Sequence, residues 1–254
     1  RVLIERFLGL PDLASYHLAY ALASLPILMT DAVQAAWLPH FYGLAPAEKR
    51  ELTGRLAPAV TRTVVAVAAA VVLLAPAAGR ALAPPDFDFP ITVVALVVSV
   101  TFVRASYLLA FAVVSDKKES GSIARASALG ALANIGLNLW LIPVWGLTGA
   151  AVSTLLGYTL MSIALARRAE RVSGRSLDLA SLSRLWFVGA GFMLVLAAVP
   201  AAVPAGPPGW VARVLLAIPV AASVWVSARR LREEYATVVT RETVTPPVSP
   251  AHRP

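Results

Sequence analysis

Apolar residues run along the chain in long blocks, each closed by proline, glycine or charge. Seven blocks, 12–38, 58–83, 89–114, 122–143, 147–167, 181–203 and 209–228, reach the length of about 20 residues that a helix needs to cross a bilayer. Pro39, Pro84, Pro85, Pro143, Pro204, Pro207 and Pro208 mark stops or turns between them. The pattern predicts an all-α integral membrane protein with about seven transmembrane helices. The final residues, "YATVVTRETVTPPVSPAHRP", lack an apolar face and read as a disordered tail.

Within these blocks the polar residues fall into stripes. In the first block Tyr16, His17, Tyr20, Ser24, Thr30, Asp31 and Gln34 project within an arc of roughly 140°. Such a stripe either bonds neighbouring helices or lines a polar cavity, and its length together with Asp31 favours the cavity. Pro26, in mid-block, removes one backbone hydrogen bond and predicts a kink. In the third block, "ITVVALVVSVTFVRASYLLAF", the one charged residue is Arg104, on a face shared with Thr101 and Tyr107. An arginine at a helix centre costs roughly 2.5–3.5 kcal/mol on insertion scales. It is tolerated beside a partner such as Asp31, or facing a wet cavity where its planar donor fork can take an anionic group.

The fourth block aligns Ser127, Gly130, Asn134 and Asn138 on one strip, and the fifth carries Gly149, Ser153 and Gly157 four residues apart. The second pattern is a small-residue packing face, and the two asparagines fit interhelical bonding better than ligand contact. The last two blocks hold few interior polar residues, which predicts a lipid-facing appendage.

Composition agrees: 58% of the 254 residues are hydrophobic and 14% charged, against about 25% charged in soluble domains. The net charge of +8 would suggest nucleic acid in a soluble protein. Here the basic residues alternate between connections. Lys49, Arg50, Arg55 and Arg62 lie in 39–62, Lys117, Lys118 and Arg125 in 115–125, Arg168, Arg171, Arg175 and Arg184 in 168–184, and Arg229 to Arg253 in the tail. The intervening connections hold Arg80 or no basic residue. The positive-inside rule then places the basic loops and the C-terminus in the cytoplasm, and nucleic acid loses its support as a partner.

With no cysteine there is no disulfide and no thiol nucleophile. His17, His40 and His252 are not spaced with carboxylates as a metal site, and no phosphate-binding, nucleophile-elbow or dinucleotide motif occurs. No cofactor is expected, and a transporter is favoured over an enzyme.

Two segments resemble a known family. Residues 13–42, "LASYHLAYALASLPILMTDAVQAAWLPHFY", are similar to the first complete helix in the C-terminal half of polysaccharide (O-antigen type) flippases, with one extra alanine between Gln34 and Trp37. Residues 128–158 resemble that family's block of Asn134, Asn138, Ile142, Pro143, Gly146, Gly149, Ala150, Ala151 and Thr154. The motifs extend to the wider multidrug/oligosaccharidyl-lipid/polysaccharide exporter superfamily. The resemblance implies a C-terminal lobe of five helices over 12–168, preceded by a truncated helix end (1–11) and followed by two extra helices (169–230) and a cytoplasmic tail (231–254). It implies that an N-terminal lobe of the same protein is missing. It implies export of a lipid-diphosphate-linked glycan across the cell membrane, with the glycan and membrane lipids as partners.

Candidate substrate-binding residues are Arg104, Asp31, Tyr107, Tyr20, Gln34, Asn134 and Asn138. The alternatives are a cation-coupled multidrug exporter using Asp31, and a non-transporting scaffold for glycan assembly.

Overall fold

The computed structural model describes residues 2–84, 89–173 and 179–202, with single positions at 222, 226 and 229. The described residues are helical, without strands. The helices are α1 (Val2–Leu8), α2 (Leu10–Ala23), α3 (Leu25–Gly43), α4 (Pro46–Leu82), α5 (Ile91–Asp116), α6 (Ser120–Ser173) and α7 (Leu179–Ala202).

Three stretches are long and apolar enough to cross a bilayer: Thr63–Leu82, Ile91–Asp116 and Ser120–Ser173. The bent pair α2–α3 passes the same test only when its two helices are counted together as one broken span. The block expected over 209–228 and the tail over 231–254 lie outside the described residues. In α7 the apolar stretch is Trp186–Ala198, shorter than a full span.

The break between α2 and α3 bends the chain by 42°. It falls at Ser24, two residues before Pro26, which has no N–H to give to the preceding turn. The connection expected over 39–62 is mostly helix, since α3 continues to Gly43 and α4 begins at Pro46. Proline is suited to a first helical turn, and the Glu48 carboxylate accepts the Ala45 N–H at 2.9 Å. The Ala, Glu, Lys, Arg and Leu that follow are strong helix formers, so a charged segment continues in register with the apolar one.

Helix α6 is a hairpin of two arms. Gly146 has φ 56° and ψ −136°, a backbone that L side chains rarely adopt. Beyond it the chain doubles back. A Cβ on Gly149 would lie 2.2 Å from the Leu141 carbonyl oxygen, and one on Gly157 would lie 3.0 Å from that of Gly130. Residues so far apart along a straight helix could not meet, given its rise of about 1.5 Å per residue. The small-residue face of the second arm therefore packs on the first, as its spacing predicts. With little hydrophobic force between helices in lipid, such close approach supplies the dispersion contacts that hold them together.

Helix α5 is the centre of the bundle, packing against α2, α3, α4, α6 and α7. Val93 to Val103 is an unbroken buried run, 7% exposed at most. A helix apolar on every face suits burial on every face. Its neighbours meet it with small residues: Ala19 and Ala23 on α2, Ala68 and Ala69 on α4, Ala150 and Ala151 on α6.

Helix α7 is docked more closely than a loose appendage. It runs antiparallel to α5, with Trp186 buried and its indole N–H donating to the Ser106 hydroxyl at 3.0 Å. Gly189 lies against the Phe102 ring. Its other face exposes Phe187, Val188 and Val195, as the first arm of α6 exposes Leu132, Trp140 and Val144. Outward apolar rows of this kind fit lipid rather than water.

The helix ends sort by charge. Lys49 Nζ donates to Asp116 Oδ1 at 2.7 Å, bringing the start of α4 to the end of α5. Glu119, in the next connection, binds Arg168 on the second arm of α6. Lys49, Lys117, Lys118, Arg125 and Arg168 thus share one end of the bundle, opposite the Gly146 turn.

Candidate functional site

Between α2, α5 and the α6 hairpin lies a partly open cleft of about 490 Å³, with polar and apolar walls. Arg104 and Tyr107 reach it from α5, Tyr20 from α2, Asn134 from the first arm and Tyr158 from the second. Sequence projection had these elements in separate helices. The hairpin brings them together, because its register sets Asn134 beside Thr154 and Gly157.

Arg104 is held from behind by Asp31. Its Nε and Nη2 both donate to Asp31 Oδ1, at 3.0 and 2.5 Å. The Arg104 side chain is 20% exposed and that of Asp31 41%. One carboxylate oxygen therefore takes two donors, which aims the guanidinium while leaving donors to spare. Each charge is partly withdrawn from solvent, so the pair is more favourable than either charge alone, and removal of one partner leaves the other without a counter-charge.

Of the predicted residues, Arg104, Tyr107, Tyr20 and Asn134 line the cleft. Asp31 does not line it and acts through Arg104. Asn138 also stands behind the wall and donates to Asn134 Oδ1 at 3.0 Å. Asn134 in turn approaches Thr154 Oγ1 at 3.5 Å, the outer limit of a hydrogen bond. These asparagines bond across and along the hairpin, as expected. Gln34 is half-buried on α3 and is not among the residues that line the cleft.

The long stripe of the first block does not survive as one face. The 42° bend at Ser24 splits it. The Ser24 and Thr30 hydroxyls bond back to the Ala21 and Ile27 carbonyls, each at 2.7 Å. Tyr16 is buried and His17 exposed. Thr101, projected onto the face of Arg104, is fully buried in the core with no hydrogen-bond partner for its hydroxyl.

Tyr158 and Thr154 were not foreseen as cleft residues. Their signal is the packing motif itself: Thr154 and Tyr158 each follow a residue of the Ser153–Gly157 row, so pairing the arms turns them towards the opening.

At the basic end, the Glu119 carboxyl is held below its ordinary value, first by the hydrogen bond from Arg168 and then by that from the Ser122 hydroxyl. Among the described residues no group of three or more His, Cys, Asp or Glu is placed to hold a metal ion.

Among the described residues these features are those of a helical protein with three to four helices long and apolar enough to cross a membrane, and with a polar cleft beside its central helix. No family model, curated protein or solved structure matches the chain.

Proposed function

We propose that the chain is the C-terminal lobe, with additional helices, of a transporter that moves a lipid-diphosphate-linked oligosaccharide across the cytoplasmic membrane for polysaccharide biosynthesis. The observation that carries this reading is Arg104 in the wall of the cleft, steadied by Asp31 and flanked by Tyr20, Tyr107 and Tyr158. A guanidinium with spare donors suits the diphosphate, and its delocalised charge tolerates partial dehydration. Tyrosine rings offer sugars an apolar face and a hydroxyl. The proposal includes about seven spans, a cytoplasmic C-terminus and an N-terminal lobe that completes the pathway.

Asp31 is engaged by a guanidinium, so it is a poor docking point for cationic drugs. That disfavours a cation-coupled multidrug exporter. The test is depletion of the full-length protein in its native host, followed by assay of lipid-linked oligosaccharide on each membrane face. Accumulation on the cytoplasmic face is expected. Unchanged distribution, with increased sensitivity to cationic compounds, would replace this function by drug export.

A further inference from the structure

The arms of α6 end side by side at the basic end of the bundle, and four arginines converge there. Arg125 from the first arm and Arg167, Arg168 and Arg171 from the second line one cleft of about 320 Å³. Leu129 and Ala164 line it too.

The charge of this cleft is mostly unanswered. Arg168 binds Glu119. Arg125 donates to neutral groups, the Gly121 carbonyl and the Ser122 hydroxyl, each at 3.2 Å, and reaches Glu119 only through its charge, without a hydrogen bond. Arg167 and Arg171 make no ion pair among the described residues. Glu170 does not line the cleft. Like charges three and four residues apart on a helix repel, so beyond the Arg168–Glu119 pair the cluster gives the fold no stabilisation that would account for it.

We propose that this cleft binds the phosphate headgroup of an anionic membrane lipid. Guanidinium forks match phosphate oxygens in pairs, and basic pockets between membrane helices are suited to such headgroups. The apolar wall distinguishes a lipid from a free anion. Leu129 is 43% exposed, and Leu132, Ile135 and Leu139 continue from it as exposed residues up the same arm. An acyl chain can lie along that row while its headgroup sits among the arginines. The site is separate from the Arg104 cleft and does not depend on what that cleft carries.

The test uses the full chain, purified in detergent and titrated separately with phosphatidylglycerol, phosphatidylcholine and inorganic phosphate. Bound lipid is counted by native mass spectrometry, and thermal stability is followed in parallel. Phosphatidylglycerol is expected to be retained and to stabilise; the other two are not. The triple variant R125Q/R167Q/R171Q, which keeps the Arg168–Glu119 pair, should bind phosphatidylglycerol about 100-fold more weakly, at about tenfold or less per lost charge. Arg80→Gln, at the opposite end, should bind normally. If the triple variant does not fold, R125K/R167K/R171K and the salt dependence of the unmodified protein decide, since headgroup binding must weaken as salt rises. Equal retention of both lipids, salt-insensitive binding, or undiminished binding by the glutamine variant would overturn the proposal. Stabilisation by inorganic phosphate equal to that by phosphatidylglycerol would overturn the assignment to lipid.

Discussion

Arg104 on the central helix α5 donates twice to a single oxygen of Asp31 on α3. The pair joins the most enclosed helix of the bundle to one of its partly exposed neighbours. It also fixes the direction in which the guanidinium meets the cleft.

Loss of either partner should destabilise the protein, because the remaining charge is partly withdrawn from solvent and loses its counter-charge. Arg104→Leu and Asp31→Leu are each expected to lower the melting temperature in detergent, with a cost of about 1–3 kcal/mol. The exchanged pair Arg104→Asp with Asp31→Arg should recover part of that loss. Additive losses in the double variant would show that the two side chains do not support each other.

Arg104→Lys separates charge from geometry. It keeps the cation and much of the stability but loses the planar fork. Under the proposed function, glycan-lipid transport by the full-length protein should fall at least about tenfold, equivalent to about 1.4 kcal/mol of lost cargo interaction. Transport at the normal rate by Arg104→Lys would mean that the fork is not used.

The hairpin of α6 should be intolerant at its crossing points and tolerant elsewhere. A methyl group on Gly149 would meet the backbone of Leu141, which cannot move aside as a flexible side chain could. Gly149→Ala should therefore cost about 1–3 kcal/mol. Gly136 meets nothing within 4 Å, and Gly136→Ala should be neutral or stabilise by up to about 1 kcal/mol through helix propensity. Thermal denaturation of both variants checks the contrast, which would vanish if the arms were not in contact.

Glu119 should contribute to the acid limit of stability. Its carboxyl is held below the ordinary value by Arg168 in the folded protein. The stabilisation is therefore present above the unfolded carboxyl pKa and is lost as pH falls through the depressed folded one. Melting temperatures measured between about pH 7 and about pH 3 should fall less steeply for Glu119→Gln than for the unmodified protein. Parallel curves would exclude this contribution.

Trp186→Phe tests the docking of α7. The substitution removes the indole N–H that meets the Ser106 hydroxyl and, with it, the five-membered part of a buried ring. A loss of about 1–3 kcal/mol is expected. Ser106→Ala should cost no more when added to Trp186→Phe than it does alone, which a double-mutant cycle measures.

The helical class, the apolar blocks and the distribution of basic residues were legible in the sequence because each depends on local periodicity and composition. The hairpin face of Gly149, Ser153 and Gly157 was legible for the same reason: four-residue spacing puts small residues on one side of any helix. So was the need of Arg104 for a partner or water, since a charge within an apolar helix must find one or the other. The bend at Ser24 was foreseen near Pro26, but its effect in dividing the polar stripe was not. Projection onto a straight helix carries no information about where the axis turns. Thr101 was placed with Arg104 on the same ground and proved to be buried, because burial depends on how many helices surround α5.

The sequence by itself determined the helical class, several stretches apolar enough for a membrane, and which charges need an answer. Tertiary structure alone decided that Asp31 answers Arg104, that Tyr158 joins Tyr20 and Tyr107 around one opening, and that four arginines meet at the base of α6. The physical reason is the reach of the interactions. Helix formation and apolarity are set within a few turns of chain, whereas an ion pair or a cleft wall depends on the angle and register at which distant helices pack.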